Sequence, residues 1–137
     1  MSHQNVEIVR AMFDGAEAFA DGRDPGAAFE AVGGDAMWIP APEVPGLSSY
    51  RGLGGLAEFL RSWTESFDSW SLRLERAIDA GDDRVVAVGH QWGVGKASGV
   101  RVDVHFGMVF QFEDGRLVQA RVYMDPADAF ADAGLAP

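Results

Sequence analysis

Apolar and polar positions alternate most regularly in the C-terminal half of the chain. Val102, Val104, Phe106, Met108, Phe110 and Phe112 recur at every second position, the period of a strand that buries one face. Glu113-Asp114-Gly115 supplies turn chemistry, and apolar positions resume over residues 117–124. The pattern predicts a hairpin with an apolar inner face. A three-residue loop with Gly115 left-handed in a bulge would pair Phe112 with Arg116. In that register Val104, Phe106, Met108 and Phe110 lie beside Val118, Ala120, Val122 and Met124, while Asp103, His105, Arg121 and Tyr123 take the other face.

Upstream, a strand is expected over residues 84–94, after a turn at 79–83, and Gly93, Gly95 and Gly99 loosen the connection that follows. Its period favours Val86, Val88, His90, Trp92 and Val94 as the buried set. Trp70, Leu72 and Leu74 mark a half-buried strand before it. Val6, Val9, Phe13, Ala16 and Ala20 fall instead at helical spacing, ending near Asp21-Gly22. Asp24-Pro25 reads as a cap and first turn of a short helix running to Phe29 and stopped by Gly33-Gly34, with a short strand at 36–39 after it. Pro40, Pro42, Pro45 and Gly46 predict an irregular loop fit for a rim or lid, and Leu56, Phe59, Leu60 and Trp63 mark a helix beyond Tyr50-Arg51-Gly52. Helices first and an antiparallel sheet afterwards is an α+β plan, with helices across one face of a curved sheet.

At 137 residues the chain is expected to form one domain spanning 1–137 and to bury roughly two thirds of its unfolded surface. Its 21 acidic and 11 basic side chains give a net charge of −10, which argues against nucleic acid and anionic lipid as partners. With no cysteine, disulfides, thiolate nucleophiles and zinc-thiolate sites are excluded. The polar start, Met1 to Asn5, and the absence of any bilayer-length apolar run predict a cytoplasmic protein without a membrane span. No glycine-rich dinucleotide motif follows a strand, so no redox cofactor is expected.

Among titratable groups, His90 and His105 are candidates for proton transfer, since imidazole suits acid-base work near neutral pH. Together with Asp103 they offer metal-ligand chemistry, but three ligands on two strands without further support do not lead us to expect a metal. Asp125 is a third catalytic candidate, although Asp125-Pro126 repeats the capping logic of Asp24-Pro25.

The order of elements and four local strings resemble the NTF2-like superfamily and, within it, the SnoaL-like proteins. The strings are Asn5-Val6-Glu7-Ile8-Val9-Arg10, Tyr50-Arg51-Gly52, Phe112-Glu113-Asp114-Gly115-Arg116-Leu117 and Tyr123-Met124-Asp125. The resemblance implies a cone in which helices and a curved sheet enclose an apolar pocket. It also implies a homodimer joined through the outer sheet face, where His105 would then lie. No single activity follows, because the superfamily holds ketosteroid isomerases, polyketide cyclases, epoxide hydrolases and non-enzymes. A ketosteroid isomerase needs a carboxylate base and two acidic donors; the matching positions here are Pro40, Gly15 and Met108. The epoxide-hydrolase relay and its water-holding pair match Gln91, Gly89, Val122, Trp38 and Pro40, which leaves a water with no base.

The resemblance aims Gln91 at the pocket, against the strand period that buries the even positions; covering both faces would reconcile the two. The implied pocket comprises Trp38, Tyr50, Phe59, Trp63, Gln91, Phe106, Met108, Val122 and Met124. A SnoaL-like protein binding a small, largely apolar molecule with a carbonyl or hydroxyl group is therefore expected, with isomerase- or cyclase-type acid-base chemistry as its activity if it has one. The alternatives are a non-catalytic binding or dimerisation module and an epoxide-hydrolase-like enzyme with relocated catalytic residues.

Overall fold

The computed structural model describes residues 2–42 and 49–135. Three helices, α1 (Ser2–Ala20), α2 (Gly52–Thr64) and α3 (Pro126–Asp132), accompany six strands: β1 (Val32–Ile39), β2 (Tyr50–Arg51), β3 (Phe67–Gly81), β4 (Arg84–Gly95), β5 (Arg101–Glu113) and β6 (Arg116–Tyr123). The strands form one open, curved sheet in the order β2-β1-β6-β5-β4-β3. Every neighbouring pair is antiparallel except β1 with β6. The architecture is α+β, with α1 and α2 on the inner face. No helix among the described residues is long and apolar enough to cross a membrane.

Two hairpins set the register of the long strands. Asp82 and Asp83 turn β3 into β4 at φ 55° and 58°, and Asp114 and Gly115 turn β5 into β6 at φ 51° and 78°. Positive φ at both central residues suits the strand twist. The second hairpin corrects the sequence expectation: Glu113, not Phe112, pairs with Arg116, so the loop has two residues. Phe112 faces Leu117 and Gln111 faces Gln119, which places the bulge at Val118. Leu117 is consequently fully buried and Val118 only half-buried. Beyond the bulge, Phe110 pairs with Ala120 and Met108 with Val122, restoring the even-numbered inner face.

Residues 26–31 form consecutive turns, not the helix expected from Asp24-Pro25. Asp24 Oδ1 accepts from the Gly26 N–H at 2.8 Å, and Gly26 adopts φ 62°, a left-handed step that ends helical propagation at once. β1 then begins at Val32, four residues earlier than the apolar run 36–39 suggested. The proline-rich loop falls partly outside the described residues: Pro40 and Pro42 are described, whereas Pro45 and Gly46 are not.

The main core joins Val9, Met12, Phe13 and Ala16 of α1 with Leu56 and Leu60 of α2 over Trp38, Val85, Ala87, Phe106, Phe110 and Ala120 of the sheet. A smaller cluster lies on the opposite face, where Ala129, Phe130 and Ala133 in and just after α3 cover Val86, Val88 and Val109. Both faces of β4 are thus covered within one chain at this end.

Candidate functional site

The strand register brings the inner-facing residues together. Leu72 of β3 pairs with Gln91, Gln91 with Val104, Ala87 with Met108, Met108 with Val122, and Trp38 with Ala120. Above them stand Met12, Phe13 and Ala16 of α1 and Leu56, Phe59, Leu60 and Trp63 of α2. These surfaces leave a cavity of about 130 Å³. Of the residues predicted for the pocket, Trp38, Phe59, Trp63, Gln91, Phe106, Met108, Val122 and Met124 border the cavity. Tyr50 does not; its ring packs on Phe59 at 5.6 Å between centroids. Trp70, Met12, Phe29 and Leu72 also border the cavity, although the sequence did not assign them to the pocket.

Among the described residues, Gln91 is the one hydrogen-bonding side chain on the wall that is not an indole. Its Oε1 accepts from Trp63 Nε1 at 2.8 Å and from Trp70 Nε1 at 2.9 Å. An indole N–H only donates, so the atom between the two rings must be the carbonyl oxygen, which fixes the amide orientation. The amide NH₂ is then left without a protein partner among the described residues. A second orphan donor is Trp38 Nε1, on a side chain only 6% exposed that meets no hydrogen-bond partner. A buried donor such as Trp38 Nε1 is normally satisfied. The wall holds no carboxylate, imidazole, amine, phenol or hydroxyl among the described residues.

The three catalytic candidates lie elsewhere. His90 and His105 are cross-strand partners on the outer face, stacked at 4.3 Å between ring centroids. His90 Nε2 lies 2.7 Å from Asp103 Oδ1, and His105 Nδ1 lies 2.6 Å from Glu75 Oε1. Glu75 was not singled out in the sequence, because its place beside the histidines depends on a register shift between Leu74 and Arg76. Asp125 caps α3, its Oδ1 accepting from the Ala127 N–H at 2.9 Å.

An open curved sheet with two helices closing over an apolar cavity defines an α+β fold of the NTF2-like class. The chain belongs to the SnoaL-like domain family, whose sequence profile matches residues 9–120. Among solved structures, Bal32a from a soil-derived mobile gene cassette superposes with a TM-score of 0.73 at 22% identity, over 99% of this chain and 98% of that one. An NTF2-like protein from Burkholderia thailandensis E264 gives 0.72 at 24% identity, over 95% and 96%. TerC, co-crystallised with polyporic acid, gives 0.69 at 20% identity, over 95% and 97%. At these identities the likeness is one of fold. No curated protein sequence matches the chain.

Proposed function

We propose that this protein binds a small apolar molecule, about the size of one aromatic ring, that carries a carbonyl or hydroxyl oxygen, and that it does so without acid-base chemistry from its cavity wall. The observation that carries this reading is the wall itself: aliphatic, aromatic and thioether surface bordered by Gln91 and Trp38, whose Nε2 and Nε1 meet no partner among the described residues, and no titratable side chain among those residues. A cavity of about 130 Å³ compares with the roughly 150 Å³ that accommodates benzene in an engineered core. Acid-base catalysis needs a group that exchanges a proton within hydrogen-bond reach of the substrate. Pro40 and Met108, which match the base and an acidic donor of the isomerases, both border the cavity and supply neither. That a neighbour of the same fold was co-crystallised with polyporic acid supports an organic ligand, with donors on an apolar wall selecting an oxygen acceptor.

Acetophenone and ethylbenzene serve as matched probes, one with the acceptor and one without. Titrations followed by tryptophan fluorescence are expected to show acetophenone binding roughly fivefold tighter, the value of one net hydrogen bond of about 1 kcal/mol. Trp38→Phe and Gln91→Met are each expected to reduce that preference, and a terpene-like epoxide is expected to remain intact. Equal affinity for the two probes contradicts donor recognition; turnover of the epoxide contradicts binding without chemistry.

A further inference from the structure

The outer face of the sheet carries a second constellation, separated from the cavity by the sheet itself. His90 of β4 and His105 of β5 face each other across the ladder, with 9° between their ring planes. Glu75 reaches them from β3 where the pairing with β4 slips between Leu74 and Arg76, the kind of bulge that re-aims a side chain. A carboxylate in its ionised form only accepts, so Asp103 and Glu75 draw the imidazole protons to His90 Nε2 and His105 Nδ1. The other nitrogen of each neutral ring then holds a lone pair. For His90 that nitrogen is Nδ1, which is buried and has no hydrogen-bond partner. One ligand atom from each of Glu75, His90 and His105 lies within 4.8 Å of the other two.

We propose that Glu75, His90 and His105 form a binding site for a divalent first-row transition-metal ion, with zinc as the reference. Two imidazoles and a carboxylate suit zinc, nickel or cobalt, whereas magnesium and calcium select oxygen. Ligand atoms around a tetrahedral zinc stand about 3.4 Å apart, given bonds of about 2.1 Å. The cluster must therefore close by about an ångström and, because an imidazole offers its lone pair in the ring plane, the His105 ring must turn out of its stack on His90; in the single chain the side chains of His105 and Glu75, 52% and 29% exposed, have room for this. The ion takes the place of the proton between His105 Nδ1 and Glu75 Oε1, and His105 carries its proton on Nε2 instead, so the ring stays neutral. Asp103 stays in contact with the far side of His90 and orients it, as carboxylates commonly do behind metal-bound imidazoles.

Calorimetric titration of the full chain with zinc chloride is expected to give one ion per chain with micromolar affinity and no comparable heat from magnesium chloride. Zinc is also expected to raise the melting temperature. His105→Ala and Glu75→Gln should each weaken binding tenfold or more, and Asp103→Asn roughly tenfold, while their zinc-free melts stay close to that of the parent and so report intact folding. His3→Ala, which removes the third histidine of the chain, should change nothing. No zinc binding at submillimolar concentration overturns the proposal, as does binding that survives His105→Ala and disappears in His3→Ala.

Discussion

Tyr123 shows how one side chain can tie α3 to the sheet and leave a signature in pH. Its hydroxyl donates to Asp132 Oδ2 at 2.6 Å. Burial, and then the neighbouring carboxylate, push the phenol up to about 12 from its ordinary 10. The folded state therefore favours the neutral phenol more than the unfolded chain does. Its contribution is present in full below about pH 10 and is lost as pH rises from about 10 to 12. Denaturation across that range should show stability falling, and Tyr123→Phe should flatten the fall; an unchanged slope in the variant would contradict the linkage. Gln91 presents the opposite case, a residue whose role was not readable from its own type. Only the fold brings Trp63, 28 positions away, and Trp70, 21 away, to its carbonyl oxygen.

At the level of elements, β4 explains why periodicity favoured the wrong face for the pocket. Its inner positions run from the core residues Val85 and Ala87 to Gly89 and Gln91, losing apolar character toward the cavity, while its outer positions Val86 and Val88 are apolar because α3 lies on them. Gly89 is small because Phe106 and Phe13 occupy the space a side chain would need, at 2.5 Å and 3.0 Å from a built Cβ. The hydrophobic pattern thus reported the helix-covered face, and only the cross-strand register separates the two. The places of the hairpins, α1 and α2 were legible because turn residues and period agree there, although the register of the second hairpin was not. The expected helix after Asp24 failed because Gly26 takes a backbone conformation that composition alone does not reveal. The docking of α3 depends on Gly107, where a Cβ would stand 2.7 Å from Ala129 Cβ and 3.0 Å from Pro126 Cα. Gly107→Ala should cost about 1 to 3 kcal/mol by overpacking, measured by urea denaturation. Unchanged stability would mean that α3 is free to shift away.

Taken as a whole, the molecule separates its chemistry between the two faces of one sheet. The inner face and two helices border an apolar cavity. The outer face holds the α3 contact at one end and the stacked histidines with their carboxylates further along β4 and β5. The family and the general plan were legible from the order of short strings along the chain, but the two orphan donors were not. An orphan is defined by what fails to approach it, and that is a property of the packed structure.

The most direct measurement is a two-dimensional ¹H–¹⁵N spectrum of the four tryptophan indole groups during titration with acetophenone. The Trp38 Nε1–H resonance is expected to move progressively to lower field as it gains an acceptor. Trp63 and Trp70, already bonded to Gln91, should move less, and Trp92 on the outer face should stay in place. A titration in which Trp38 remains fixed, or in which Trp92 alone responds, would contradict a ligand held by donors in the cavity.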